Sequence, residues 1–246
     1  MPDYYLINPQ TYDDQFWWKK DDIEFWKTVI PQYSKVLELA AGTARIGKPL
    51  VKSAIDYTGL ELSSDYVSFA NLKFPNHNPI IQGDMRKFSL NTKYDVILIG
   101  FNSLLHLLSE DEVSMCLDNI RSHMHNDTKL YIDIFVPKAE FLYRSPQSNL
   151  IVMEFFDSAK NHVSIIEESL FYDSVSEIVS VNWQYKKKGS LMAYDSFDFQ
   201  MKVYYPDTMN RLLIDAGFEI ISLWGSYDKV GFEENSELQV YELSLF

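Results

Sequence analysis

The feature that most restricts the fold is an alternation, over residues 35 to 136, of short apolar runs with amphipathic stretches. That order predicts a parallel sheet covered by helices, because each helix carries the chain back to start the next strand in the same direction. The predicted strands are KVLELA (35–40), DYTGLEL (56–62), NPIIQGD (78–84), YDVILIGF (94–101) and KLYIDIF (129–135). Between them, ARIGKPLVKSA, SSDYVSFANLKF and SEDEVSMCLDNIRSHM read as helices. The last opens with Ser109 as N-cap and Glu112 three positions on, the pattern of a capping box. Nearly continuous apolar character in VILIGF fits a strand buried on both faces.

From about residue 149 the pattern changes to long alternating runs, NLIVMEFF, HVSIIEESLFYD, EIVSVNWQYKK and DSFDFQMKVYY, which read as antiparallel strands. A helix at PDTMNRLLIDAG, ending on Gly217, and two final strands, FEIISLWG and ELQVYELSL, complete the chain. The fold class is therefore α/β: a doubly wound, seven-stranded, mostly parallel sheet with an antiparallel β insertion. A chain of 246 residues suits one large core. With no Pro/Gly/Ser-rich boundary in sight, the expectation is a single domain over 1–246, in which 1–30 forms an N-terminal lid or helix segment and about 149–204 the insertion.

The balance of charge narrows the partners. A formal net charge of −13 repels phosphate backbones and anionic lipid, which argues against nucleic acid and membrane surfaces. Lys186, Lys187 and Lys188, followed by Gly189, read as a hairpin tip. The sequence has no apolar run of the ~18 residues a membrane span needs, and Asp3, Asp13 and Asp14 stand where a signal peptide would be basic, so a cytoplasmic protein is expected. Cys116 is the lone cysteine and reads as a small core residue. His123 and His125 lack a carboxylate cluster of ligand spacing, so no metal is expected. Oligomeric state stays open, a homodimer included.

The sharpest local signal is Val36, Leu37, Glu38, Leu39, Ala40, Ala41, Gly42, Thr43, Ala44, Arg45, an apolar strand that ends in an acid and runs through small residues toward a helix. Small residues let backbone approach a ligand closely, and an acid at a strand end suits an ammonium group. Of the three glycines of a GxGxG loop only Gly42 is present, with Ala40 and Ala44 in the other two places. Glu61 closes the next strand 23 positions after Glu38, where nucleotide-binding α/β folds put a carboxylate on ribose hydroxyls. Two ligands use such an arrangement. NAD needs the full glycine set to cradle its pyrophosphate, whereas S-adenosylmethionine carries no phosphate and tolerates the loss. A plain tight turn and a solvated strand-end acid are the bland alternatives.

Gly83, Asp84 and Met85 follow the third strand, and the fourth leads into Phe101, Asn102, Ser103, Leu104, Leu105, His106. Taken together, ELAAGTAR, GLELS, QGDMR and YDVILIGFNSLLHLLSEDE resemble class I S-adenosylmethionine-dependent methyltransferases. The likeness is strongest to the small-molecule branch with a β-rich insertion, which includes amino-sugar N-methyltransferases and glycine N-methyltransferase-like enzymes. It covers about residues 10 to 136, and YYPDTMNRLLIDAGFEI matches the family's late helix and strand. The resemblance implies that Glu38 and the backbone around Ala40, Ala41 and Gly42, with Thr43 next in the loop, hold the methionine end of the cofactor. It further implies Glu61 on the ribose and Asp84, beside Gly83, on the adenine amino group. Leu62 and Met85 would lie against the ring, and Phe101 and Asn102 would border the transfer site. HNDTKL departs from the family by replacing the Gly-Gly turn before the fifth strand.

The aromatic N-terminal segment YYLINPQTYDDQFWWKKDDIEFW makes a lid, because a sulfonium is attracted to aromatic faces; residues 1–20 are expected to order over the cofactor. In the resembling enzymes a Tyr-Asp pair sits there, and Tyr12-Asp13 matches it. Trp17, Trp18, Phe25 and Trp26, at near-helical spacing, read as packing. His106 stands just beyond the fourth strand, where a base that deprotonates an ammonium or hydroxyl acceptor has to stand; a structural histidine is the alternative. The implied activity is methyl transfer from S-adenosylmethionine to a small molecule, with acidic residues such as Glu167, Glu168, Asp195 and Asp198 favouring N- over O-methylation. An NAD-binding oxidoreductase and a catalytically silent cofactor-binding or interaction protein are the rivals.

Overall fold

In the computed structural model, residues 7–136, 138–144 and 150–246 are described; residues 1–6 of the expected lid and residue 149 of the expected insertion lie outside them. The apolar runs become the strands β1 (Lys35–Leu39), β2 (Asp56–Glu61), β3 (Ile80–Gln82), β4 (Tyr94–Ile99) and β5 (Met124–Phe135), joined late in the chain by β10 (Phe218–Trp224) and β11 (Leu238–Leu245). They form one seven-stranded sheet in the order β10-β11-β5-β4-β1-β2-β3. β1 to β5 pair in parallel, while β11 runs antiparallel between β5 and β10. β1 is flanked by β4 on one side and β2 on the other, so the strand order reverses there, the place where open α/β sheets bind ligands. As VILIGF predicts, Val96 to Ile99 are all buried.

Helices α2 (Asp21–Val29), α3 (Gly47–Val51), α4 (Ser64–Asn71), α5 (Glu110–Ser122) and α7 (Pro206–Asp215) accompany this sheet. Trp26, fully buried, packs with Val36, Leu50, Leu98 and Tyr131; burying an aromatic of this kind stabilises the fold by ~2 to 3 kcal/mol. Cys116 is buried in α5 and its thiol is pushed up to about 12 by that burial. Ser109 caps α5 by accepting from the Glu112 amide at 3.2 Å. The Glu112 carboxylate accepts from the Leu108 amide at 2.7 Å, one residue beyond the usual capping-box partner. The departure at HNDTKL also has a structural answer: Tyr94 pairs with Met124 and Val96 with Lys129, so the residues between are looped out. Thr128 brackets the bulge, its hydroxyl donating to the Tyr94 carbonyl at 2.6 Å and accepting from the His125 amide at 2.9 Å.

The second sheet is antiparallel, β6 (Leu150–Asp157), β7 (His162–Asp173), β8 (Ile178–Lys187) and β9 (Ala193–Lys202) in sequential order, preceded by the short helix α6 (Ala139–Leu142). Helix α1 (Pro9–Gln15) belongs with it. The chain thus gathers into two compact units, residues 1–19 with 137–203 and residues 20–136 with 204–246. Within the first, the Thr11 hydroxyl donates to buried Asp157 at 3.2 Å and the Tyr185 hydroxyl donates to buried Gln15 at 2.8 Å. Those bonds fasten α1 to the antiparallel sheet. Ile7, Phe155, Ile166, Tyr185 and Phe197 supply its apolar cluster. The four N-terminal aromatics are consequently split: Phe25 and Trp26 are core residues of α2, whereas Trp17 and Trp18, beyond the end of α1, are 63% and 52% exposed. The lysine run does sit at a hairpin tip, with Lys186 on Glu167 at 2.5 Å and Lys188 on Glu154 at 2.7 Å. Among the described residues no helix is long and apolar enough to cross a membrane.

Candidate cofactor and transfer site

The C-terminal ends of β1, β2, β3 and β4 bring together every sequence-predicted site residue except Tyr12, which lies in α1 of the other unit with its ring 4.8 Å from Phe16. After Leu39 the backbone takes the left-handed conformation at alternate positions: φ is +54° at Ala40, +56° at Gly42 and +59° at Ala44. These are the three places a GxGxG loop gives to glycine. A left-handed residue with a Cβ costs ~1 kcal/mol or more, so Ala40 and Ala44 carry strain that Gly42 does not. Replacing Ala40 with glycine is therefore expected to leave the fold intact and raise the melting temperature by ~2 to 4 °C, the equivalent of ~1 kcal/mol in a chain of this size. A lower melting temperature would show that the Ala40 methyl contributes more by packing than its backbone loses.

The loop is held from β2. The Gly42 amide donates to Glu61 Oε2 at 2.8 Å and the Ser63 amide to Glu61 Oε1 at 2.9 Å. Glu61 is 1% exposed, and burial raises its carboxyl above the usual range while the amides of Ser63, Gly42 and Leu62 pull it back. The Leu62 amide also bonds this carboxylate. Beside it, Leu62 is an exposed apolar side chain and Met85 a half-buried one. A Cβ built on Gly42 meets no atom within 4 Å, which leaves open space over the loop. Thr43 is fully buried, and Lys73 donates to its carbonyl at 2.7 Å.

Glu38 lies at the same strand end, 3% exposed, and accepts from the Tyr57 hydroxyl at 2.5 Å. Burial pushes its carboxyl up to about 8; the Tyr57 hydrogen bond and Arg45 oppose the rise, and Asp22 and Glu61 add to it. Gly47 has no side chain for a local reason: a Cβ there would sit 2.1 Å from the Tyr57 ring. After β3, the Gly83 amide donates to the Glu61 carbonyl at 2.9 Å. Asp84 is grasped by Arg86, which donates to it from Nη2 at 2.6 Å and from its own amide at 2.9 Å. Those hydrogen bonds hold the Asp84 carboxyl below the ordinary range, so it stays an acceptor. Arg86 also bonds Glu112.

Beyond β4 come two consecutive left-handed non-glycine residues, Phe101 at φ +55° and Asn102 at +64°, and then a 3-10 turn over Ser103–His106. Leu104 and Leu105 anchor the turn in the core and leave His106 exposed. Asp133 of β5, 1% exposed, receives the Phe101 amide at 2.7 Å and the Tyr227 hydroxyl at 2.5 Å. The Arg45 guanidinium lies 4.6 Å from the Phe101 ring centroid and pairs with buried Asp22 at 2.5 Å. Sequence reasoning gave no role to Tyr57, Asp133 or Tyr227. Asp133 alone left a signal, as an acid inside the apolar run KLYIDIF. His123 and His125 take separate partners, the Leu90 amide at 2.9 Å and Asp95 at 3.0 Å.

This geometry fits S-adenosylmethionine better than a dinucleotide. After Gly42 the chain passes through turns, and α3 begins only at Gly47, so no helix N-terminus meets the loop as a pyrophosphate would require. Comparison with known proteins agrees. Residues 36–127 match a methyltransferase domain family. The methyltransferase-like protein YqeM of Bacillus subtilis (strain 168) is 23% identical over 204 residues, 78% of this chain and 76% of that one. The dTDP-3-amino-3,4,6-trideoxy-alpha-D-glucopyranose N,N-dimethyltransferase of Streptomyces venezuelae is 31% identical over 94 residues, 38% of this chain and 39% of its own length. In fold, the chain is similar to the CcbJ methyltransferase of Streptomyces caelestis, with a TM-score of 0.77 at 21% identity over 97% of this chain and 99% of that one.

Proposed function

We propose that the chain is an S-adenosylmethionine-dependent methyltransferase whose acceptor is a small-molecule amine deprotonated beside His106. The cofactor supplies an electrophilic methyl group on a sulfonium. The residues that would hold it are Glu61 for the ribose hydroxyls, the Ala40–Thr43 backbone and Glu38 for the methionine end, and Asp84, Leu62 and Met85 for the adenine, with Gly83 setting the turn between them. Phe101 and Asn102 would border the acceptor.

Methyl transfer needs in-line alignment above all, and an amine must also be neutral to attack. The observation that carries the amine reading lies at the same sheet end. An open cavity of about 720 Å³ there is lined by Phe25, Tyr227 and the carboxylates of Asp21, Glu24, Asp228 and Glu233. Acids beside aromatic walls suit a cation and oppose a diphosphate. The relative from Streptomyces venezuelae is named for N,N-dimethylation of an amino sugar, which supports the same class.

The test is mass spectrometry of products formed with trideuteromethyl-labelled S-adenosylmethionine. The acceptors are a 3-amino-3-deoxyhexose glycoside, its dTDP-linked form and the matching hydroxy sugar. Label on the amine of the free glycoside is expected. Label on the hydroxy sugar alone, or on no amine, would overturn the acceptor class.

A further inference from the structure

We propose that Asp133, steadied by Tyr227, is a positioning residue that fixes the acceptor-side turn, a role that rests on reading Phe101 and Asn102 as the border of the transfer site. Two successive left-handed residues with side chains are costly, ~1 to 2 kcal/mol each, and persist only where the surroundings over-determine them. Here they are over-determined from β5. Asp133 Oδ1 accepts the Phe101 amide at 2.7 Å, the Asp133 carbonyl accepts the Asn102 amide at 3.2 Å, and Asn102 Oδ1 accepts the Phe135 amide at 2.7 Å. The turn is thereby stitched to the strand at three points.

A strand that needed only to be buried would carry an aliphatic residue at 133, as it does at Ile132 and Ile134, both wholly buried. A carboxylate in their company is expensive unless its oxygens are used. Both are used. The second oxygen takes the Tyr227 hydroxyl at 2.5 Å, and burial together with Asp133 raises the Tyr227 phenol far beyond the physiological range, so it donates at every relevant pH. Tyr227 stands in the loop between β10 and β11, with its ring 5.5 Å from Phe25. Asp133 therefore joins the wall of the acidic cavity to the turn that meets the acceptor. A displacement of that turn by ~1 Å would cost ~10²-fold in rate, because in-line transfer depends on alignment.

The experiment compares Asp133→Asn, Asp133→Ala and Tyr227→Phe in three measurements. These are turnover on the amino-hexose glycoside, affinity for S-adenosylhomocysteine, and hydrogen exchange at the Phe101 and Asn102 amides. Asparagine keeps an acceptor for Phe101 and offers its amide to the Tyr227 oxygen, so its turnover is expected within ~3-fold of wild type. Alanine removes both contacts and is expected to lose ~10²-fold in kcat, with Tyr227→Phe between the two. Affinity for S-adenosylhomocysteine should stay within ~3-fold in all three, because Gly42, Glu61 and Asp84 are untouched. Exchange at Phe101 and Asn102 should quicken in the same order.

Affinity falling in step with turnover would overturn the proposal, as would wild-type turnover in a folded Asp133→Ala protein or unchanged exchange at the turn. If Asp133→Ala does not fold, the contrast between Asp133→Asn and Tyr227→Phe decides. If the wild-type protein does not methylate the glycoside, that failure belongs to the acceptor assignment, and exchange and affinity still test the clamp.

Discussion

Replacing His106 with alanine is expected to lower turnover on an amine acceptor by ~10²-fold or more while leaving S-adenosylhomocysteine affinity nearly unchanged, because proton removal belongs to the transition state and not to cofactor binding. The motivation is positional. The 3-10 turn ends on His106, its two leucines are sunk in the core, and the imidazole is left exposed just past the strained residues Phe101 and Asn102. An imidazole has its ordinary pKa near neutrality and suits the task. Part of the lost activity should return at higher pH, where more of the acceptor amine is neutral without help. A structural histidine predicts lost stability and no such rescue. A folded His106→Ala protein with wild-type turnover at neutral pH would remove the base and leave alignment by Phe101 and Asn102 as the whole mechanism.

Glu38→Gln should produce opposite effects on stability and on binding. With its carboxyl raised from 4.5 to about 8 by burial, Glu38 keeps a proton in the folded chain that the unfolded chain releases. Its contribution is fully present below about 4.5 and is lost as pH rises through about 8. Within that window each pH unit costs the fold ~1.4 kcal/mol from this one group. Glutamine mimics the protonated form and has no proton to lose. The variant should therefore gain on the wild type by ~2 kcal/mol or more between pH 5.5 and 8.5, read from denaturant melts at the two values. At the same time it removes the carboxyl that would give up its proton to meet the cofactor's ammonium group, and S-adenosylmethionine affinity should fall ~10-fold. Parallel pH slopes for variant and wild type would mean that Glu38 is ionised throughout. Unchanged affinity would separate Glu38 from the ammonium.

How much of this was legible in sequence follows from which interactions are local. β1 to β5 follow from apolar runs whose burial is imposed by a covered parallel sheet, and β7 begins and ends where HVSIIEESLFYD does. Glu38, Glu61 and the small-residue loop were legible because strand ends and a 23-residue spacing are sequence properties. The clamp was not: Tyr227 and Asp133 lie 94 positions apart and meet only because β11 inserts between β5 and β10. Nor was the division into two units, since of its three crossings Lys19–Lys20 and Val203–Tyr204 carry no glycine, proline or serine and Val136–Pro137 carries one proline, too little to mark a boundary. Tyr12 sits in α1, which is hydrogen-bonded to β6 and β8 through Thr11 and Gln15. The aromatic spacing carried no sign of that docking.

If the loop between Glu38 and Ala44, backed by Glu61, is an S-adenosylmethionine site, it must bind the demethylated cofactor through Glu61. Calorimetric titration of S-adenosylhomocysteine into the wild-type and Glu61→Ala proteins, with NAD as a control, measures this binding. Saturable binding to the wild type, none of NAD, and a loss of ~1 to 3 kcal/mol in the variant, the value of hydrogen bonds to a charged group, are expected. Saturable binding of NAD, no heat with S-adenosylhomocysteine, or an unchanged dissociation constant in Glu61→Ala would contradict this assignment.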